Sequence, residues 1–426
     1  MQNSMTNKFG LFSILLCLVL VGCGGNVNSS NVLNDPGNLV PNTTNYEVIS
    51  KKVSRVKTKE NKSVDPFNTE VILVTYCGKD FNDIYPCFNE EIQRLHILFD
   101  RYNDFVDEEG KDIINLKKIN ESYGTGNVLT VDQDLIDLLN LSIELSILTE
   151  GYFNPTLGEL SDTWNYIYED GEKYVRFSPY CFEEEDPKEE DVISSKEKSI
   201  PCQELSSYLL INDENNTIEF KKYKEIDKIT LSLGAIAKGY AIEKTKKIVE
   251  TFNVPAMVDG GSSSSYGIGT NPNPDRDYWS IGIASPYKDA FGVKAIANVK
   301  INGTYAMSVS GDYESCYKTQ EGKLRHHILN PYSGYPENYY RVISLKGTAR
   351  SDVLDGLSTA LFSIESIDKI NEVVDKVESY YNIEIALMLE KEVDKEKRKI
   401  DVYLSQSYDD MVMKFNSSYF NSKIIV

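Results

Sequence analysis

The sequence predicts a folded unit that mixes strands with helices, set behind an export signal and a flexible tether. Three observations carry this. Short β-rich runs alternate with longer amphipathic runs along the chain. The 426 residues, 41% of them hydrophobic, are enough to bury a core in one large domain or two ordinary ones. And the stretch Leu231 to Tyr240 starts as a strand, breaks at Gly234 and continues as a helix through Ala237, Ala241 and Lys244 to Phe252. Small residues at that break let a ligand approach the backbone. The first helical turn offers unpaired N–H groups, which suit a phosphate, and Lys238 adds a positive charge there.

The chain opens with Lys8 ahead of the apolar run Phe9 to Gly22. That run is too short for a stable spanning helix and has the shape of a signal-peptide core, giving a signal over residues 1–22. Its end, Leu20-Val21-Gly22-Cys23, resembles the bacterial lipoprotein cleavage box. The resemblance implies cleavage before Cys23 and diacylglycerol on its sulfur. Several acyl chains anchor durably, since each buried methylene contributes about 0.8 kcal/mol. Residues 23–64 are rich in Asn, Ser, Gly and Pro, with a basic patch at Lys51 to Lys62, and read as a tether that holds the folded part off the membrane. The folded domain is expected over 65–426.

Thr69 to Tyr76 alternates and reads as a strand. Phe88 to Tyr102 and Val131 to Thr149 carry helical spacing, the second stopping at Gly151. Gly151 to Leu160 is a loop with two glycines and a proline, closed by Trp164. About 168–207 is the most acidic and least patterned part and reads as a solvated insertion. In an exported chain Cys181 can pair with Cys202, and Cys77 with Cys87, leaving Cys316 free. Ala256 to Gly261 is a strand entering a glycine turn. Further strands are expected at Trp279 to Ala284, Ala295 to Ile301, Tyr339 to Lys346, Ile383 to Leu389 and Val402 to Ser405. Helices are expected at Ser351 to Ser363 and Ile367 to Val377.

A formal charge of −20 and a pI near 4.7 argue against nucleic acid, since no basic stripe exists to neutralise phosphates. The three histidines, His96, His326 and His327, are too few for a histidine metal cage. Asp355 and Thr359 lie four apart, hence on one face of a helix. Two hard oxygen ligands there suit Mg²⁺, which keeps some waters and accepts phosphate oxygens.

The order of these segments resembles the ApbE family of FAD:protein FMN transferases. The family's Asp-Leu-Gly-Gly-Ile-Ala-Lys-Gly-Tyr matches Ser232 to Tyr240, and its Gly-Ala-Phe-Asp-Pro-Thr loop with a following Trp matches Gly151 to Leu160 and Trp164. Its glycine turn matches Val258 to Gly261 and its Thr-Ser-Gly-Asp-Tyr matches Val309 to Tyr313. Its His-Ile-Ile-Asp-Pro segment matches the run from His327, and its Ala-Asp-Ala-Leu-Ala-Thr-Ala matches Leu354 to Ala360. The resemblance runs from about Phe67 to Val402. It implies an α+β fold of mixed, largely antiparallel sheets with packed helices, in two lobes around an FAD cleft.

It also implies roles. Asp355, Thr359 and the carbonyl of Ala235 match Mg²⁺ ligands. Phe67, Tyr102, Tyr152, Phe153, Asn154, Ser232, Lys238 and Leu329 match positions lining the FAD site, and His327 matches the family histidine, the candidate general base. The implied reaction moves FMN from FAD to a Thr or Ser hydroxyl of a partner, typically a subunit of a membrane redox complex, with release of AMP. There are departures: Ser232, Asn154 and Asn330 replace aspartates, Phe67-Asn68 replaces Met-Gly, and Val309 replaces a hydroxyl residue. They leave three alternatives open: an enzyme that hydrolyses FAD to FMN and AMP, a flavin-binding lipoprotein without chemistry, and an anchored solute-binding protein for another ligand.

Overall fold

The computed structural model describes residues 48–75, 81–169, 172–261, 263–271, 273, 277–289, 292–415 and 418–426. The proposed signal, Cys23 and most of the tether lie outside them, as does Cys77. Nine strands form the central sheet. In spatial order they are Ile49–Lys52, Val71–Thr75, Ala256–Gly260, Ser264–Ile268, Tyr305–Gly311, Val342–Gly347, Ala386–Asp394, Lys399–Leu404 and Phe420–Ile425. Every neighbouring pair is antiparallel except the last, which is parallel. The mixed, largely antiparallel α+β expectation is met.

Alternation along these strands sends side chains to opposite faces. One face is covered by helices Phe81–Phe99, Gln133–Leu148, Ala237–Thr251, Ser351–Phe362 and Ile367–Tyr381, which build the main core with Leu73, Val258, Tyr266 and Ile343. The other face packs Met388, Val402 and Leu404 against Trp279, Ile296 and Val299 of a smaller sheet. That sheet is formed by Trp279–Asp289, Gly292–Ile301 and Val412–Phe415. The Gln133–Leu148 helix starts where Asp132 accepts from the Asp134 N–H, an ordinary N-cap. Among the described residues no helix is long and apolar enough to cross a membrane.

Four expectations need correction. Residues Ile49–Lys52, read as tether, are an edge strand paired with Val71–Thr75, and Val53 and Val56 beyond them are buried. Most of the basic patch around them is paired or stacked: Lys52 with Asp65 and Glu70, Lys59 with Asp112, and Lys51 over the Tyr85 ring. Residues Ile229–Leu233 join no sheet. Thr230 makes one parallel bridge to Leu157, while Ser232 N–H donates to the Pro155 carbonyl at 2.7 Å and Leu231 N–H to Asn120 Oδ1 at 2.7 Å. The acidic segment is not simply solvated: it holds a hairpin, Tyr166–Glu169 with Glu172–Val175, and a helix, Glu189–Glu197. Its Phe177 and Val192 share a small core with Trp164 and Tyr317. Finally, Cys181 is bonded to Cys316, and Cys87 and Cys202 are free thiols.

Charge is also buried in the sheet. Arg341 binds Asp312 and reaches Glu392 at 3.0 Å. Burial pushes Asp312 up to about 6. Glu390, on the neighbouring strand, has both carboxyl oxygens buried without a partner among the described residues, and burial pushes its pKa far upward.

The edge strand gives a first test. A chain starting at residue 65 should melt below one starting at residue 48, because burial of Val53 and Val56 contributes on the order of 1.5–3 kcal/mol each. Equal midpoints in thermal denaturation would show that the segment adds nothing.

Candidate active site

The site forms where two helices meet with no side chain between them. Gly239, in the first turn of Ala237–Thr251, abuts the first turns of Ser351–Phe362. A Cβ on it would stand 2.5 Å from the Asp355 Cβ and closer still to the Ser351 carbonyl. Only glycine permits this approach. The contact brings the Gly239 N–H to 2.9 Å from Asp355 Oδ2. This amide stands four residues after Ala235, so the carboxylate takes a donor that a regular helix would aim at the Ala235 carbonyl.

The other carboxylate oxygen is held by the sheet. Ser264 Oγ donates to Asp355 Oδ1 at 2.9 Å and Ser308 Oγ at 3.3 Å. Ser308 and Ser310 both reach Ser358 Oγ, at 3.2 and 2.8 Å. Thr359 Oγ1 donates to the Asp355 backbone carbonyl at 3.3 Å, and Thr359 is half-buried. Burial pushes the Asp355 carboxyl up, while the Lys238 ammonium, the Gly239 amide and the serine hydroxyls pull it back. Gly234 is exposed here and Ala235 and Lys238 are half-buried, while Ile236 and Ala237 between them are buried.

His327 enters from the hairpin Cys316–Lys318 and Leu324–His326. Its Nδ1 lies 3.3 Å from the Ser315 carbonyl. A carbonyl only accepts, so this contact places the proton on Nδ1 and leaves Nε2 as the basic nitrogen. The surrounding protein mass, and then the Lys238 ammonium, push the imidazole below its usual range. The Ser315 carbonyl and the ring's open edge to solvent act against that shift. Lys238 therefore bears electrostatically on both His327 and Asp355. The adjacent His326 is structural. It is fully buried, with Nε2 2.9 Å from the Glu337 carbonyl, and burial pushes it to about 3.

Other predicted residues divide into those near this centre and those used elsewhere. The Phe67 loop adjoins it, because Thr69 packs onto Gly261 in the turn that precedes Ser264. Phe67 and Asn68 both have positive φ, which accounts for a glycine at the second position in the resembled motif. Phe67 N–H donates to His96 Nδ1 at 3.2 Å. Tyr152 stands edge-on to Tyr332, and Leu329 packs with Leu157 and Tyr335 against the small core of Leu160 and Trp164. Tyr102 stands further along, under Arg101 and edge-on to Tyr166.

Phe153 is a correction. Its ring is buried in the main core, so only its main chain is available to a ligand. Asn154 is another, its amide being used to tie its own loop to the Ile200 segment. Nδ2 donates to the Ile200 carbonyl at 3.0 Å, and Oδ1 accepts from Thr156 N–H and Oγ1. Asn330 repeats this, giving Nδ2 to the Ser363 carbonyl and taking Tyr332 N–H at 2.8 Å. A carboxylate could make neither donation. The free N–H groups expected at the helix start are also fewer than foreseen, since Ala237 donates to Leu233 and Gly239 to Asp355.

The sequence reading missed the serines and Ser315. The signal for the serines was present: Ser308 and Ser310 alternate on one strand, and Ser264 follows a glycine turn. Ser315 acts through its carbonyl, which no residue type announces.

Among the described residues no cluster of three or more His, Cys, Asp or Glu could cage a metal ion. The donor set that the resemblance assigns to Mg²⁺ is instead one carboxylate, one hydroxyl and one carbonyl, on Asp355, Thr359 and Ala235. All are hard oxygens, which fits an ion that completes its shell with water and phosphate oxygens.

An α+β protein with a buried carboxylate at a small-residue turn, and a lysine that bears on both it and a histidine, has the fold and polar groups of a flavin-transferase family. The ApbE family model matches residues 67–387, and the chain belongs to the ApbE family. It is 26% identical over 263 residues to a FAD:protein FMN transferase of Haemophilus influenzae, covering 61% of this chain and 68% of the relative. It is 28% identical over 274 residues to one of Vibrio cholerae, covering 64% and 71%. Among solved structures, the ApbE protein of Thermotoga maritima superposes with a TM-score of 0.62 at 22% identity, over 87% of this chain and all of that one. The flavin transferase ApbE of Vibrio cholerae gives 0.61 at 19%, over 86% and 100%. At these identities the two structures speak for the fold.

Gly239→Ala tests the contact on which the site is built. It should cost about 1–3 kcal/mol in urea unfolding. Wild-type stability would show that the two helices can part without loss.

Proposed function

We propose that this chain is an FAD:protein FMN transferase, using Mg²⁺ and acting on a hydroxyl of a partner protein. The observation that carries the reading is the convergence of Asp355, Lys238 and His327 on one small-residue turn. The family and the names of its relatives support it.

Bound Mg²⁺ would be held by Asp355, Thr359 and the Ala235 carbonyl, and would neutralise charge on the pyrophosphate oxygens. The remaining chemistry falls to the chain's own groups. Lys238 steadies the pyrophosphate as a point charge. His327 Nε2 accepts the proton of the attacking Thr or Ser hydroxyl. The hydroxyl oxygen bonds to the flavin-side phosphorus, the anhydride bond breaks, and AMP leaves with the electron pair. Tyr102, Tyr152, Ser232, Leu329 and the Phe67 loop would line the dinucleotide, as the family resemblance implies. The fully buried serine web keeps the Asp355 carboxylate aimed at the turn without filling it.

We place the protein outside the cytoplasmic membrane. It would be anchored through lipid on Cys23, with residues up to about 48 as the tether and a membrane redox-complex subunit as acceptor. The apolar run before Cys23 supports this reading. Globomycin treatment of expressing cells should accumulate the uncleaved precursor.

The deciding experiment incubates purified protein with FAD and Mg²⁺, with and without an acceptor peptide. Flavin fluorescence attached to the peptide supports transfer. Free FMN and AMP alone mean hydrolysis, intact bound FAD means a carrier, and no flavin binding removes the reading. Asp355→Asn should abolish turnover and leave the fold intact. His327→Ala should lower transfer about 10²–10⁴-fold. The base works when neutral, and its pKa lies below the ordinary value near 6.5. The rate should therefore hold from neutral pH to about pH 6 and fall only in stronger acid; a rate that halves near pH 7 would rule His327 out as the base.

A further inference from the structure

We propose that the acidic segment is a clamp that positions His327, and that the Cys181–Cys316 disulfide fastens it. This rests on the reading of His327 as general base. The link between the clamp and His327 is the backbone of residues 315–318. His327 is oriented by the carbonyl of Ser315, and Ser315 immediately precedes Cys316. On one side, Cys316–Lys318 pairs with Leu324–His326, Cys316 facing His326. On the other side the acidic segment supplies a further edge. Ser178 and Cys316 exchange both backbone hydrogen bonds, at 3.0 and 3.1 Å, and Lys318 binds Phe182 and Glu184 at 2.9 Å each.

Side chains repeat the attachment. Asp186 accepts from Tyr317 Oη at 2.7 Å and from Arg325 Nε at 3.0 Å, thereby binding both strands of the hairpin. Phe177 and Val192 bury the ring of Tyr317. Cys316 is fully buried, and its bond to Cys181 closes a connection 135 residues apart in sequence. The strand carrying the carbonyl that selects the histidine's tautomer is thus held from both edges and by a covalent tie. Lys238 and Asp355 lie on other elements, so the clamp bears on the base and not on the recess. Cys181, Cys316 and Asp186 are positioning residues.

Reduction by dithiothreitol splits the disulfide into two thiols, with two electrons and two protons coming from the reagent, which closes to its own cyclic disulfide. The wild-type protein, oxidised and reduced, is compared with Cys181→Ala/Cys316→Ala under the same two conditions. Reduction should lower kcat for flavin transfer about tenfold, as a small misplacement of a catalytic group does, with KM for FAD changed less than twofold. The pH profile of kcat should move further below the ordinary imidazole value, because the Ser315 contact that supports the protonated ring is loosened. The double variant should match reduced wild type and ignore the reagent.

His327 can also be followed directly, since only three histidines contribute ring signals in NMR. Its resonance should titrate further below 6.5 after reduction, as the Ser315 carbonyl no longer supports the protonated ring. Unchanged kcat, pH profile and His327 resonance on reduction would overturn the clamp. A loss of FAD affinity in step with kcat would overturn it too, by pointing to general loosening. If the oxidised protein neither transfers nor cleaves FAD, the transferase reading fails, while the NMR comparison still decides whether the disulfide positions the ring.

Discussion

The site depends on a missing side chain. Gly239 lets the start of one helix touch the start of another, and that contact gives the Asp355 carboxylate its donor. With one oxygen fixed by this amide and the other by Ser264 and Ser308, the carboxylate has a single orientation. Its burial would favour the protonated form, and the donors around it favour the anion. A hard cation would tip the balance the same way. Lys238, one residue before the glycine, is carried to the spot by the same turn. A chain with 65 acidic and 45 basic residues can therefore receive an anionic dinucleotide through a few local groups.

Much of this arrangement is legible in the sequence, and the parts that are not fail for identifiable reasons. Asp355 and Thr359 declare themselves by helical spacing, and Gly239 by its place in a motif. Phe153 sits in the Gly151 to Leu160 motif, yet packing alone decides that its ring turns inward. Ile49–Lys52 alternates too weakly and carries too many lysines to look like a strand; it becomes one because the Val71–Thr75 edge needs partners for its backbone groups. The cysteine pairing depends on which strands meet, and spacing carries no such information. Phe420–Ile425 went unforeseen because it joins the sheet in parallel, across a long connection.

Two departures from the resembled motif acquire a physical account. Asn154 and Asn330 each give an amide N–H to a backbone carbonyl, Ile200 in one case and Ser363 in the other. Each leaves its oxygen to accept from the following turn. These asparagines knit loops together around the cleft, and their neutrality leaves Asp355 as the buried carboxylate at the recess. Nothing in the structure explains Ser232.

The carboxyl of Glu390, without a partner among the described residues, carries a consequence for the whole molecule. A glutamate whose pKa rises on burial takes up a proton as the chain folds. Its share of the stability is complete below the ordinary carboxylate range, where folded and unfolded chains are both protonated. That share drains away as the pH rises from that range toward the raised folded value, because the unfolded chain releases the proton first. The central sheet is in this sense a proton sink, and its cohesion is linked to the acidity of whatever compartment surrounds it.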